Sequence, residues 1–247
     1  MAVLLAGCGP PPEGELTVSA AISLSDAFGH MAAEFEKTHP GVTVRLNYAS
    51  SGSLAAQIAH GAPADVFASA GQAQMDALEA QDLLLPGTRQ EFAANELVLI
   101  VPRDSSLQIA GFADLARLPV TRLAMGNPET VPAGQYAQQA LMNIGLWQEV
   151  QGKLVLAENV RQVLAYVEQD EVEAGLVYAT DAAMGRAVRV VATAPSGSHP
   201  PIRYPIAVLA NSQHKELALE FIAFVRGQHG RAILRQYGFT PLGGEMP

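Results

Sequence analysis

The sequence predicts an α/β protein that is divided into two lobes. Strand–turn–helix units follow one another along most of the chain, which is typical of mainly parallel sheets with helices on both faces. Of the 247 residues, 49% are hydrophobic and only 6% are aromatic, a composition that suits a large α/β core. Two apolar segments, 96–101 and 204–209, interrupt this rhythm, and we expect them to be strands that cross between the lobes.

The first lobe is predicted to begin with three strand–turn–helix units. Their strands are expected at 16–20, 44–48 and 64–69, and their helices after Ser23, after Ser51 and at 73–80. In the first helix, Phe28, Met31 and Phe35 recur at helical spacing. This spacing predicts one buried helix face.

The second lobe repeats the pattern with different turns. Its predicted strands are 96–101, 122–125, 154–157, 174–178 and 188–192, with a short helix near 112–118 and helices that begin at Val131, at Val160 and after Tyr178. Asn159 is expected to cap the helix that begins at Val160. We assign 1–15 to an export-signal remnant and linker, 16–98 and 205–247 to the first lobe, and 99–204 to the second lobe.

The turns before several helices are candidate anion-binding sites. The first four N–H groups of a helix have no partner within it and lie at the positive end of its dipole. Ser50, Ser51 and Ser53 add hydroxyl groups to one such turn. For a single turn, a serine that only caps the helix is the commoner arrangement. The recurrence of the pattern favours a ligand site, but it does not decide whether Ser50 or Ser51 faces the ligand.

Ligands of open α/β sheets bind where the carboxyl ends of strands face helix N-termini. Four predicted turns meet this description, at Ser23, Ser51, Ala133 and Val160, and Tyr178 lies at the end of a strand. The sequence therefore predicts a cleft that is lined by hydroxyl and amide donors, with no lysine or arginine in it. Such a site favours a fully ionised anion, because the proton of a protonated anion would find no acceptor.

The net charge of −9 disfavours nucleic acid as a partner, since phosphate backbones are held mainly by lysine and arginine. Cys8 is the single cysteine, so neither a disulfide framework nor a cysteine metal site is expected. The segment from Leu5 to Cys8, LAGC, resembles the lipobox of bacterial lipoproteins, although most of the usual signal sequence does not precede it. We expect a shortened export signal with Cys8 as a site for lipid attachment; a chance match is the alternative.

Several segments together closely resemble the family of periplasmic molybdate-binding proteins that serve molybdate ABC transporters. They are AAISLSDAF, NYASSGSLAAQIAHGAPADVFASA, GNPETVPAGQYAQQAL, AENVRQVLAYVE, GLVYATDA and RQYGFTPL. The resemblance covers residues 16–242 and implies a type II periplasmic-binding-protein fold with an oxyanion between the lobes. It places the ligand at the hydroxyls and amides of Ser23 and Ser51, the amides of Ala133 and Val160, and the Tyr178 hydroxyl.

The resemblance also implies how the protein works. The five residues would hold the molybdenum through the oxygens of molybdate, and tungstate should bind as well because its dianion has nearly the same size. No cofactor besides this ligand is expected. The implied partner is the membrane permease of a molybdate ABC transporter, and we expect a monomer in the periplasm.

Two alternatives remain open from the sequence. A receptor for another tetrahedral oxyanion, such as sulfate, would have the same fold and would differ mainly in cavity size. An enzyme is not expected, because the chain contains no Gly-x-Ser-x-Gly elbow and no HExxH motif, and its six histidines are scattered.

Overall fold

The computed structural model describes residues 14–117 and 119–243. The strands are β1 Gly14–Ala21, β2 Val42–Ala49, β3 Val66–Ala68, β4 Gln90–Asn95, β5 Leu97–Pro102, β6 Leu123–Gly126, β7 Leu154–Ala157, β8 Ala174–Tyr178, β9 Val188–Thr193, β10 Ile202–Val208 and β11 Thr240–Pro241. The α-helices are α1 Ser25–Thr38, α2 Ser51–Ala59, α3 Gln72–Glu79, α4 Asp114–Arg117, α5 Pro132–Asn143, α6 Trp147–Val150, α7 Val160–Glu168, α8 Ala179–Met184, α9 Lys215–Arg226 and α10 Gln228–Gln236. Short 3₁₀ helices cover Ile22–Leu24 and Gln151–Lys153. The predicted lipid-attachment residue Cys8 and the last residue of the helix predicted near 112–118 lie outside the described residues.

The strands form two sheets. The first has the order β11-β4-β10-β3-β1-β2 and the second the order β7-β6-β8-β5-β9. We call the first sheet with α1–α3, α9 and α10 the first lobe, and the second sheet with α4–α8 the second lobe. This arrangement of two α/β lobes agrees with the predicted fold class.

Only part of each sheet is parallel. In the first sheet β2, β1 and β3 are parallel, whereas β10 is antiparallel to β3 and β4 is antiparallel to β10. In the second sheet β7, β6 and β8 are parallel, and β5 is antiparallel to β8. The prediction of mainly parallel sheets was wrong for the remaining strands. Parallel neighbours require crossover helices, but β5 and β10 each enter directly from the opposite sheet.

The chain passes between the sheets twice, through Glu96 and through residues 194–201. The first passage is nearly one extended strand, because β4 and β5 flank a single residue. Val98 lies in a strand of the second sheet and Tyr204 in a strand of the first. The residue limits of the lobes stay a prediction.

The core is formed by the helix faces and strands that the periodicity predicts. Phe28 and Phe35 of α1 are fully buried, and Phe28 contacts the rings of Phe92 and Phe221 at centroid distances of 5.7 and 6.1 Å. All six residues of β5 are buried, as expected for a strand that is covered on both faces. No helix within 14–117 and 119–243 combines the length and the apolar character that a membrane crossing needs.

The start of α5 lies directly against the end of β6. A Cβ atom built on Gly134 would lie 2.0 Å from the carbonyl oxygen of Gly126. Real Cβ atoms do not approach a backbone oxygen this closely, so only glycine allows the helix to lie here. This contact fixes the position of the neighbouring residue, Ala133.

Gly134→Ala should therefore destabilise the protein by about 1–3 kcal/mol, because its methyl group forces α5 away from β6. The matched control is Gly29→Ala in α1, where a Cβ meets nothing within 4 Å. That variant should be more stable than wild type by about 0.5–1 kcal/mol, since alanine favours the helix over glycine. Urea unfolding measures both changes. Equal effects of the two substitutions would contradict the proposed contact.

Candidate ligand-binding site between the lobes

The five predicted site residues come from both lobes and lie at helix starts or at a strand end. Ser23 is in the 3₁₀ helix before α1 and Ser51 begins α2, whereas Ala133, Val160 and Tyr178 lie at the starts of α5 and α7 and the end of β8. None of them is more than 3% exposed. The structure thus buries donors from both lobes together.

Ser51 and Tyr178 meet at one residue of the first lobe, Ala70. The Ala70 amide donates to the Ser51 Oγ at 3.0 Å, and the Tyr178 hydroxyl donates to the Ala70 carbonyl at 3.1 Å. Because the Ser51 oxygen is the acceptor in its bond, its own proton can still be donated to a ligand. The Tyr178 bond joins the two lobes.

Ser23 belongs to a second polar network. Its Oγ lies 3.3 Å from the Tyr204 hydroxyl. The Asn95 side chain donates to the Tyr204 hydroxyl at 3.1 Å and to the Thr180 Oγ1 at 2.9 Å. The Tyr204 and Tyr178 rings are 5.7 Å apart between centroids, so the two networks are neighbours.

Sequence reasoning missed Asn95, Thr180 and Tyr204. The signal that could have found Asn95 is its position as the last residue before the first crossing between the sheets. The polar groups of Thr180 and Tyr204 could not be assigned from local patterns, because their partners lie far away in the sequence.

The N-termini of helices from opposite lobes touch each other. The Gly52 amide in α2 donates to the Thr130 carbonyl at 2.9 Å, and a Cβ on Gly52 would lie 2.4 Å from that oxygen. A Cβ on Gly71 would lie 2.9 Å from Pro132. The 3₁₀ helix that contains Ser23 contacts α7, which begins at Val160. The structure is therefore a closed arrangement of the lobes.

The structure separates the roles of Ser50 and Ser51. Ser50 is the N-cap of α2: its Oγ accepts from the Ser53 amide at 3.3 Å and lies 2.8 Å from the Ser53 Oγ. The capping alternative therefore applies to Ser50, whereas the Ser51 Oγ accepts from the Ala70 amide. Asn159 caps α7 by accepting from the Gln162 amide at 3.0 Å, as predicted.

An arginine lies beside the site, although the sequence analysis expected none there. Arg161 directly follows Val160, and its Nε lies 2.5 Å from Asp181 Oδ1 while its Nη2 lies 2.6 Å from Asp26 Oδ2. One positive charge is thus paired with two carboxylates. Its pairing leaves no net positive charge at this place.

Burial controls the protonation of the groups at the lobe contact. Burial raises the pKa of the Tyr178 and Tyr204 hydroxyls far above the usual value, so both remain neutral donors. Burial also raises the pKa of the Asp181 carboxyl to about 6, and the nearby Arg161 guanidinium limits this rise.

The described residues contain no cluster of three or more His, Cys, Asp or Glu side chains that could hold a metal ion.

Residues 16–240 match the family model of the bacterial extracellular solute-binding proteins. The chain belongs to this family. It is 40% identical over 241 residues to the molybdate-binding protein ModA of Escherichia coli strain K12, which covers 96% of this chain and 93% of the relative. It is 36% identical over 245 residues to the Bacillus subtilis strain 168 protein YvgL, named as an ABC transporter substrate-binding lipoprotein, with coverage of 96% and 94%.

The solved structures agree with this assignment. The periplasmic molybdate-binding protein of Azotobacter vinelandii matches with a TM-score of 0.82 and 25% identity, over 93% of this chain and 100% of that one. The fold is thus the type II periplasmic-binding-protein fold that the resemblance implied. The extracellular solute-binding proteins are receptors that act outside the cytoplasm.

The buried Asp181 carboxyl should make the stability of the protein depend on pH. Folding raises its pKa from 3.8 to about 6. The stabilising contribution of this group is therefore complete below pH 3.8 and is lost as the pH rises through about 6. The change amounts to about 3 kcal/mol.

Urea unfolding of the wild type and Asp181→Asn at several pH values measures this contribution. The free energy of unfolding of the wild type, minus that of the variant, should fall as the pH rises from about 4 to about 7. Loss of the bond to Arg161 adds an offset without this slope. A difference that stays constant with pH would show that Asp181 does not titrate in this way.

Proposed function

We propose that this protein is an extracellular receptor that binds molybdate between its lobes and delivers it to an ABC transporter. The observation that carries the proposal is that Ser23, Ser51 and Tyr178, from opposite lobes, are all buried, with Ser51 and Tyr178 both bonded to Ala70. The relatives named as molybdate-binding proteins match nearly the whole chain, including both lobes. Their names point to the same ligand.

The proposed ligand groups are neutral hydrogen-bond donors. Ser23 and Ser51 would each donate from the hydroxyl and the amide, and Tyr178 from its hydroxyl. Ala133 and Val160 would donate from amides in the first turn of α5 and α7, where helix N–H groups have no partner within the helix. The Tyr178 hydroxyl would turn from the Ala70 carbonyl to the anion. With about seven such bonds, at about 1.5–3 kcal/mol each before closure and association costs, micromolar to nanomolar affinity is expected.

Neutral donors favour molybdate over anions that keep a proton. Molybdate is a fully ionised tetrahedral dianion at neutral pH, so each of its oxygens accepts. A protonated phosphate would place its hydrogen against donors only, and an unmet buried polar contact is costly. Tungstate, with the same charge and nearly the same size, should bind as well.

Closure of the lobes is the proposed signal to the transporter. Ligand binding would hold the lobes in the arrangement where α2 touches Thr130, and the permease would recognise this closed shape. We place the protein in the periplasm as a monomer without a further cofactor, with Cys8 as the site for a lipid anchor. Neither catalysis nor nucleic-acid binding is part of this function.

Calorimetric titration of the purified protein with molybdate, tungstate and sulfate tests the proposed function. Molybdate and tungstate should bind in the micromolar to nanomolar range, and sulfate much more weakly because it is smaller. Equal affinity for sulfate and molybdate, or no binding of molybdate, would refute the proposal.

Ser51→Ala should weaken molybdate binding about ten- to a hundredfold, because it removes one donor to a charged ligand. The matched control is the neighbouring substitution Ser50→Ala. It should reduce stability by about 1 kcal/mol through loss of the α2 cap, with affinity close to wild type. Calorimetry and urea unfolding measure the two effects. The reverse pattern would assign the ligand to Ser50.

Gly52→Ala should prevent full closure, because its methyl group would collide with the Thr130 carbonyl. We expect molybdate affinity to fall about ten- to a hundredfold. Small-angle X-ray scattering should show that molybdate no longer makes the variant more compact. Gly29→Ala, whose methyl group would meet nothing within 4 Å, should behave as wild type in both measurements. Normal compaction of the Gly52 variant would contradict the role of this contact.

A further inference from the structure

Arg161 joins the two lobes through its side chain. Its guanidinium Nε lies 2.5 Å from Asp181 Oδ1 in α8 of the second lobe, and its Nη2 lies 2.6 Å from Asp26 Oδ2 in α1 of the first lobe. We propose that Asp26, Arg161 and Asp181 form an interlobe latch that holds the closed receptor and slows release of the anion. This inference rests on the proposed function.

The half of the latch within the second lobe orients the guanidinium. Asp181 is fully buried, and Arg161 follows the first residue of α7. A buried carboxylate that loses its charged partner is strongly unfavourable, so the Arg161–Asp181 pair should persist when the lobes open. The Arg161 guanidinium should therefore keep its orientation in the open receptor and pair with Asp26 when the lobes close.

The half of the latch between the lobes forms only on closure. Asp26 lies in the first turn of α1, and its side chain is 36% exposed even with the lobes together. When the lobes separate, this carboxylate regains water and loses Arg161. A charge-assisted bond that exists only in the closed state lowers the free energy of that state alone.

The latch differs from the other interlobe bonds in its charge. Tyr178 to Ala70 and Gly52 to Thr130 are interlobe bonds between neutral groups, whereas Asp26 and Arg161 are ionised. Two carboxylates face one guanidinium, so the latch offers no net positive charge to an anion. It should therefore control how long the receptor stays closed, without attracting the ligand.

The position of Arg161 explains how the latch serves the ligand site. Val160 precedes it, and α7 contacts the 3₁₀ helix that carries Ser23. Because Asp26 lies in the first turn of α1, shortly after Ser23, the ion pair draws the amide of Val160 toward the hydroxyl of Ser23. Arg161 and Asp26 are thus positioning residues that hold donors from opposite lobes around the anion.

Asp26→Asn tests the latch with little change in shape. Stopped-flow measurements should show that molybdate dissociates about tenfold faster from the variant, while its association rate changes less than about twofold. Raising NaCl from about 0.05 M to about 0.5 M should speed dissociation from wild type and should have little effect on the variant, because salt screens the ion pair.

Asp76→Asn is the matched control. Asp76 pairs with Arg89 at 2.6 Å, and the Arg89 side chain is 25% exposed compared with 22% for Arg161, but both members of this pair lie in the first lobe. Its loss should leave molybdate dissociation unchanged. Wild-type dissociation rates in Asp26→Asn, or equal acceleration in both variants, would overturn the latch.

A double-mutant cycle with Arg161→Gln shows whether the faster molybdate dissociation of Asp26→Asn comes from loss of the Asp26–Arg161 ion pair. Asp26→Asn should add little to the dissociation rate once Arg161 is replaced, and additive effects would overturn the latch.

If the wild type does not bind molybdate at all, the proposed function fails, and small-angle X-ray scattering from the ligand-free proteins still decides the latch. At low salt Asp26→Asn should then be less compact than wild type, and equal radii of gyration would refute it.

Discussion

The structure depends on helix N-termini from opposite lobes that face each other across one buried surface. The start of α2 donates to Thr130, which lies just before α5, and α7 contacts the 3₁₀ helix that contains Ser23. The first turn of each of these helices has N–H groups without a partner in the helix and the positive end of a dipole. Like ends of dipoles repel, so a negative partner between them favours closure of the lobes. An oxyanion would supply this partner, which links the fold to the proposed function.

Close packing allows these termini to approach. Gly52 lets α2 lie against Thr130, and Gly134 lets α5 lie against the end of β6. A side chain at either position would move a helix start by more than the tolerance of a hydrogen bond. Glycine at these positions therefore matters for the distance between amides and not only for backbone freedom.

Charge at the lobe contact is balanced locally. Arg161 is the cation beside the proposed site, and Asp26 and Asp181 pair with it. Tyr178 and Tyr204 stay protonated because they are buried. The protein can then hold a dianion by oriented dipoles, which favours an anion that accepts at every oxygen. The ionised side chains nearby pair with one another instead of with the anion.

Local patterns in the sequence predicted most strands and helices in their order, though not β4 and β11. They also predicted the buried face of α1, the Asn159 cap and the helix starts that could face a ligand. These depend on residues a few positions apart, which set periodicity and capping. Whether the five predicted residues bind the anion stays a prediction. Three features emerged from the three-dimensional structure alone: Ser50 caps α2 while Ser51 bonds to Ala70, β10 runs antiparallel to β3, and Arg161 pairs with Asp26. Asp26 and Arg161 are separated by 135 residues, and contacts over such a distance arise from packing that no local pattern encodes.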